Sequence, residues 1–324
     1  MGQAKKTILI FGISSSVGSS LAEYLKRYFK VAGTTHATPV KIQGIPVLTC
    51  DVLKRDEVQL AMYTFRPDYC IYAVGLHSIM DCAEARGLAD ALNAGGLYNV
   101  SESCQRFKAQ LIYLSSSYVF MGEDKYYVEN DIPDPVTMMG KTKAAAEFYI
   151  QRTSLNYLIF RCCQLYGRGF HPLSLTFFER LQRSIHKGQS LVCDNHMHVG
   201  FLDVMYLALM IRLTLEKEAS NRLFQVNSSD VLTHYEFAKT YCKVFGESDS
   251  HIEKGRWYFP IIDTARDVDL SRDLFLRLDL MNTESFLTIK MPTVAESLAL
   301  TYKRYNGEPH RDTKRQQGSE LTYI

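Results

Sequence analysis

The stretch Thr7-Ile8-Leu9-Ile10-Phe11-Gly12-Ile13-Ser14-Ser15-Ser16-Val17-Gly18 decides how this chain folds. A short strand-forming run is followed directly by a glycine-containing turn and a helix start, which is the context a dinucleotide loop needs. Gly12 allows the tight turn, Gly18 lets helix and strand pack closely, and the N–H groups of a helix N-terminus attract a pyrophosphate. The middle glycine of that pattern is absent. Ser15 stands where the backbone normally comes nearest the phosphate, so its side chain must turn away or donate its own hydroxyl bond. The serine run also reads as a plain helix N-cap.

Outward from this turn, short apolar runs alternate with helix-length segments, the pattern of right-handed βαβ units building a parallel sheet. Strands are expected at 7–11, 30–34, 46–50, 69–73, 110–115 and 156–162, with helices starting near Val17, Asp56, Ala83 and Met138. Most of these strands lack polar alternation, as strands covered by helices on both faces do. The result is an α/β, doubly wound Rossmann sheet with 1–165 as its NAD(P)-binding domain. After Gly167 the loops lengthen, with helices expected at about 172–186, 202–216 and 235–245, and a strand near 223–227 returning to the main sheet. Most of 166–305 is then a smaller α/β substrate-binding region capping the carboxyl edge of the strands, and 306–324 a polar tail.

With 46% hydrophobic residues, 22% charged and a net charge of +2, the chain of 324 residues reads as an ordinary soluble protein with small-molecule partners. Neither a basic block nor a long apolar run points to nucleic acid or membrane. The apolar run at the start is too short for a secretion signal, so a cytoplasmic location is expected. Eight cysteines without Cys-x-x-Cys spacing read as reduced thiols. His196 and His198 lack a third ligand cluster, so no metal is expected.

At the cofactor end, Asp51-Val52 follows the third strand, where a carboxylate can accept from an adenine amino group, and Ala73-Val74-Gly75 follows the fourth, where small residues let a cofactor lie against backbone. The second strand ends in Gly33-Thr34-Thr35-His36, with no acidic residue to hold a ribose 2′-hydroxyl. Hydroxyls and a potential imidazolium there tolerate a 2′-phosphate, so NADP(H) is preferred over NAD(H).

These residues resemble the extended short-chain dehydrogenase/reductase family, and within it the dTDP-4-dehydrorhamnose reductase branch. The resemblance is carried by Leu114-Ser115-Ser116-Ser117-Tyr118-Val119-Phe120-Met121-Gly122, by the loop from Tyr127 to Pro135, by Asn93-Ala94, by Phe160-Arg161-Cys162-Cys163-Gln164-Leu165-Tyr166-Gly167 and by Phe201-Leu202-Asp203-Val204, running from about Thr7 to near Asn306. It implies that Gly12, Ser14, Ser15, Ser16, Val17 and Gly18 meet the pyrophosphate, and that Asp51 and Val52 flank the adenine. It implies that Ala73, Val74, Gly75 and His77 line the path to the nicotinamide, with Thr34, His36, Leu114, Ser115 and Cys162 also at the cofactor. Asn93 would support the active-site helix, Ser116 would be the catalytic hydroxyl, Lys143 would hold the nicotinamide ribose, and Ser117, Gln164 and Arg168 would join Ser116 at a nucleotide-sugar substrate. A homodimer through sheet-flanking helices is likewise implied.

The run Met138-Met139-Gly140-Lys141-Thr142-Lys143 is similar to the family's Tyr-Gly-x-x-Lys motif, with a thioether where the resemblance implies the proton-donating phenol. Met139 has no proton to give. A positioned general acid is worth about 10²–10⁴ in rate, so its loss costs roughly 3–5 kcal/mol of barrier. Tyr118, two residues from Ser116, is a candidate substitute donor; Lys143 itself or a water relay are the others. The sugar-nucleotide dehydratases that resemble a Met-x-x-x-Lys pattern also resemble a Thr-Asp-Lys run, where this chain has Ser116-Ser117-Tyr118. Two expectations therefore stand: an NAD(P)-dependent reductase of a 4-keto-6-deoxy sugar nucleotide with a non-standard proton donor, or an inactive NADP-binding regulatory or scaffolding subunit. The Tyr235 to Lys239 spacing repeats Tyr-x-x-x-Lys, but reads as an amphipathic core helix. Tyr166, Arg168 and His171 follow a strand end, where they read either as contacts of a nucleotide diphosphate or as surface residues.

Overall fold

The computed structural model describes residues 5–153, 156–168, 175–258, 260–261 and 272–305. In chain order the first half forms β1 Thr7–Phe11, α1 Ser16–Leu25, β2 Lys30–Thr35, β3 Val47–Thr49, α2 Arg55–Phe65, β4 Tyr69–Tyr72, α3 Ile79–Glu84, α4 Arg86–Asp90, α5 Gly96–Phe107, β5 Gln110–Ser116, β6 Tyr126–Tyr127, α6 Met138–Thr153, β7 Tyr157–Cys162 and β8 Gln164–Tyr166. The second half adds α7 Phe177–His186, β9 Leu191–Asp194, β10 Met197–Val199, β11 Phe201–Asp203, α8 Val204–Glu216, β12 Arg222–Val226, α9 His234–Phe245, β13 Ile252–Gly255, β14 Leu274–Leu278, α10 Met281–Leu287 and α11 Val294–Arg304.

Seven strands make one sheet in the order β12-β7-β5-β4-β1-β2-β3, every pair parallel. Strand β1 shows why its sequence is unbroken. Ile8 and Ile10 enter a core shared with α1 and α8, while Leu9 and Phe11 enter another shared with α2, α5 and α6. All four are 0% exposed, so both pleats of the strand are helix-covered. This is the doubly wound Rossmann architecture. A third core of aromatics, including Phe177, Phe178, Phe201, Phe237 and Tyr241, fills the later lobe, where β10-β14-β6, β11-β8 and β13-β9 form small sheets.

Several elements depart from the sequence expectations. The helix expected near Ala83 starts at Ile79, because the Ser78 hydroxyl caps it from Asp81 N, and it breaks into α3 and α4 before a π-helical turn over Ala91–Gly95 leads into α5. Leu202 lies in β11, and α8 begins behind Asp203, whose carboxylate accepts from Met205 N at 2.9 Å. Helix α7 begins at Phe177 behind the Thr176–Glu179 capping box; the expected start at Pro172 lies outside the described residues, as do His171 and the 306–324 tail. The expected strand near 223–227 is β12, which joins the main sheet beside β7. All eight cysteines are buried and unpaired. Among the described residues no helix is long and apolar enough to cross a membrane.

Candidate functional site

The first turn closes tightly between β1 and α1. Gly12 adopts a φ of 83°, and a β-carbon on it would meet Ala73 O at 2.7 Å, so no other residue fits this crossing of loop and strand. Ser15 resolves the question of its side chain by turning into the helix start: its Oγ accepts from Gly18 N and donates to Gly12 O, both at 2.9 Å. The first amides of a helix have no partner inside it, and the cap takes only that of Gly18. The Ser16 and Val17 amides remain for an anion, so the turn still suits a diphosphate. Ser14 Oγ accepts from Thr35 Oγ1 at 3.1 Å.

At the end of β2, Thr34 is 1% exposed, and its carbonyl holds the Gly12 and Ile13 amides. Its side chain is thus inside the fold, whereas His36 is exposed. Asp51 accepts from Leu53 N at 3.0 Å, and its own amide donates to Glu57 Oε2 at 2.7 Å. Glu57 also pairs with Lys54 at 2.9 Å; these contacts lower its pKa. Val52 is buried, Ala73, Val74 and Gly75 are half-buried at the tip of β4, and His77 beyond them is exposed.

The π-helical turn places Asn93 fully inside, where its amide donates to Leu76 O at 3.1 Å and to Thr142 Oγ1 at 2.9 Å. Thr142 in turn donates to Met139 O at 3.0 Å, so Asn93 does brace the start of α6. The Asn93 carbonyl oxygen occupies the space a β-carbon on Gly75 would need.

Helix α6 packs against the end of β5, and Lys143 reaches the backbone two residues before Ser116. Lys143 Nζ donates to Leu114 O at 2.9 Å, two residues from Ser116, and lies 5.1 Å from the centre of the Tyr113 ring. Burial of the amine lowers its pKa from 10.5 to about 8, against the opposing influence of Cys162, Cys82 and Glu147. Ser116 is half-buried, and its Oγ accepts from Tyr118 N at 3.3 Å. A β-carbon on Gly140 would sit 2.0 Å from Tyr118 O, which explains the glycine: α6 rests directly on that backbone.

Met139, 4% exposed, packs with Cys82 and Ala89, flanked by Leu76, Ile79, Met138 and Tyr118. Its place is apolar, one helical turn from Lys143. The Tyr118 phenol points the other way, donating to Met197 Sδ at 3.3 Å, and burial raises its pKa. Burial makes this phenol a weaker acid, and its hydroxyl is directed at the Met197 thioether. Ser117 is 1% exposed, enclosed behind Ser116. Cys162 is buried beside Lys143 with its thiol pushed up to about 12, and Gln164 is half-buried at the start of β8.

Met197 and Leu274 line both a narrow cleft beside Tyr118 and a cavity of about 290 Å³ whose walls include Arg256, Trp257, Tyr258 and Arg272. Sequence reasoning missed these four residues, because nothing local marks them. Tyr166 is buried in the later lobe, bonded to Ser297 Oγ at 2.6 Å, and the Arg168 guanidinium stacks 3.9 Å from the Tyr305 ring centre. His196 and His198 both face Asp273, at 3.0 and 3.8 Å. No cluster of three or more His, Cys, Asp or Glu suited to a metal occurs among the described residues. The Tyr235–Lys239 stretch is on the amphipathic α9, with Lys239 paired to Asp249 at the surface.

A parallel sheet wound on both faces, a glycine turn opening α1 and a lysine of α6 bonded to the backbone near the tip of β5 define a Rossmann-type α/β protein. More narrowly, the chain belongs to the RmlD substrate binding domain family, matching its model over residues 6–306. Among curated relatives, methionine adenosyltransferase 2 subunit beta of Rattus norvegicus is 27% identical over 218 residues, which is 62% of this chain and 62% of that protein. The match thus spans a little under two thirds of that relative's length. The dTDP-4-dehydrorhamnose reductase of Escherichia coli is 27% identical over 240 residues, covering 71% of this chain and 75% of the relative. The crystal structure of dTDP-4-dehydrorhamnose reductase from Bacillus anthracis in complex with NADP superposes with a TM-score of 0.76 at 21% identity, covering 94% of this chain and 99% of that one. At that identity the likeness establishes the fold.

Proposed function

We propose that the chain binds a nicotinamide dinucleotide, NADP(H) ahead of NAD(H), and reduces a nucleotide-linked keto sugar, with the Lys143 ammonium giving the proton that a phenol at position 139 would otherwise supply. The observation that carries this reading is the Lys143 amine, fixed on Leu114 O at 2.9 Å and lowered by burial to about 8. An amine in that range is mostly protonated at neutral pH yet acidic enough to part with its proton. The cofactor would supply hydride. Ser16 and Val17 amides would hold its diphosphate, Asp51 its adenine and the exposed His36 its 2′-phosphate. The Ser116 hydroxyl would steady the carbonyl oxygen as charge develops on it. On the substrate side, the guanidinium groups of Arg256 and Arg272 suit a diphosphate, and Trp257 and Tyr258 suit a base. The names of the Escherichia coli and Bacillus anthracis relatives support both the substrate class and the cofactor.

The second reading, a cofactor-binding subunit without turnover, is favoured by the apolar packing of Met139, which leaves the usual position of the acid without a proton. The rat relative's name, a subunit beta, is in keeping with it.

Titration of the purified protein with NADPH and NADH, read by nicotinamide fluorescence, followed by a panel of 4-keto sugar nucleotides, separates the two. Consumption of NADPH that Lys143→Met abolishes supports the reductase. Tight binding with no consumption across the panel supports the subunit. Met139→Tyr adds a further arm: a gain marks a reductase working without its best acid, and no change in an inactive protein strengthens the second reading.

A further inference from the structure

Asp194, the last residue of β9, is 0% exposed and uses both oxygens of its carboxyl group. Oδ2 accepts from the His196 and Met197 amides at 3.1 and 2.8 Å, which closes the turn into β10. Oδ1 accepts from the Trp257 amide at 3.0 Å, 63 positions along the chain and just past β13. Strands β9 and β13 are register partners, with Asp194 against Gly255. Their backbone ladder ends where Asn195 N donates to Gly255 O at 3.0 Å, and beyond it the Asp194 side chain supplies the acceptor. The Trp257 indole Nε1 donates to Val192 O at 3.1 Å.

A carboxyl group taken out of water needs donors inside the fold, and a local turn supplies the first two of these. The third bond is no part of the turn. It ties the segment after β13 to the start of β10, and the two segments are walls of the 290 Å³ cavity, one through Trp257 and the other through Met197. The Met197 wall continues toward Ser116. Met197 Sδ accepts from Tyr118 Oη at 3.3 Å, and Tyr118 N donates to Ser116 Oγ at 3.3 Å. Asp194 therefore touches both walls directly and reaches Ser116 through Met197 and Tyr118, with a hydrogen bond at every step.

We propose that Asp194 is the positioning residue of this cavity: by holding the Met197 and Trp257 amides on one side chain, it sets two walls against each other before any ligand arrives. Walls set in advance spare a ligand the cost of ordering them on binding. The use of the cavity for a nucleotide-linked sugar rests on the reductase reading; the setting of its walls does not.

Trp257 is the one tryptophan of the chain, so its emission reports on this wall alone. In the full chain, Asp194→Ala is expected to move that emission to longer wavelength and to strengthen its quenching by acrylamide. Asp194→Asn, with one acceptor oxygen in place of two, is expected to do so in part. Arg304→Ala, which breaks a buried pair elsewhere in the later lobe, is expected to leave both readings at their wild-type values. Unchanged emission and quenching in folded Asp194→Ala overturn the proposal, and so does an equal change in Arg304→Ala, which marks general loosening. If Asp194→Ala does not fold, amide hydrogen exchange of the wild-type chain decides. The His196 and Trp257 N–H groups, which lie outside the strands, are expected to exchange slowly, and exchange at the rate of an open loop overturns the proposal. Thymidine diphosphate added to the wild type tests the underlying reading separately. Where it alters Trp257 emission, Asp194→Ala is expected to raise its Kd about tenfold, and equal affinity overturns the proposal. Where it leaves the wild type unaltered, the nucleotide use of the cavity falls, and the wall setting stands or falls on emission and exchange.

Discussion

Replacing Lys143 by methionine is expected to make the protein more stable at neutral pH while removing its central polar group. In the folded chain burial holds the amine at about 8 rather than 10.5, a difference equivalent to roughly 3 kcal/mol against folding in the charged form. The substitution also forfeits the bond to Leu114 O, and an acceptor left without its donor costs about 1–2 kcal/mol. The net expectation is a gain of about 1–2 kcal/mol at pH 7. Below about 8 both folded and unfolded wild-type chains carry the proton, so the whole penalty applies. Between about 8 and 10.5 the unfolded chain keeps a proton that the folded chain has released, so wild-type stability rises with pH across that window. The advantage of the variant must therefore shrink with pH and turn into a small deficit once the penalty has gone. Urea unfolding of both proteins at pH 7 and pH 9.5, followed by circular dichroism, measures the gap directly. A variant that is less stable at pH 7, or a gap that is the same at both pH values, refutes the reasoning.

Three further outcomes are expected. Gly140→Ala forces a β-carbon to within 2.0 Å of Tyr118 O, so α6 must shift and thermal unfolding should show a loss of about 1–3 kcal/mol. Ser15→Ala removes the cap of α1 and should cost about 1 kcal/mol, whereas Ser15→Gly should cost only a few tenths; denaturant midpoints of the two variants give the comparison. Arg304→Ala strands Asp203, which also accepts from Thr301 Oγ1 at 2.6 Å, and breaking such a buried pair is expected to cost about 3–5 kcal/mol in chemical denaturation.

The main sheet was legible because its strands are uniform apolar runs, each stopped by a turn residue, so composition along the chain already carried the βαβ order. The later strands were not. β6 has two residues and pairs with β14, Tyr127 against Leu278, so its partner lies about half the chain away and no local pattern announces it. The cofactor turn could be read as far as Gly12 and Gly18, but not the way Ser15 resolves its own hydroxyl, which depends on where Gly12 O points after the turn has formed. Glu147 and Arg161 stayed hidden for another reason. A glutamate four residues after a lysine on a helix normally marks a solvated face, and an arginine in a strand normally marks an edge; only the adjacency of β5, β7 and α6 turns them inward as a pair. Tyr118 shows the converse, since its spacing from Ser116 suggested a shared direction that the 3₁₀ turn over Ser117–Val119 removes.

The position of β12 on the outer flank of β7 has a consequence for biosynthesis. Fifty-nine residues lie between Cys162 and Arg222, so a nascent chain emerging from the ribosome displays β7 as an unprotected apolar edge until the covering strand follows. At elongation rates of about 5–20 residues per second that interval is about 3–12 seconds, long enough for edge-to-edge association with other unfinished chains or for capture by a chaperone.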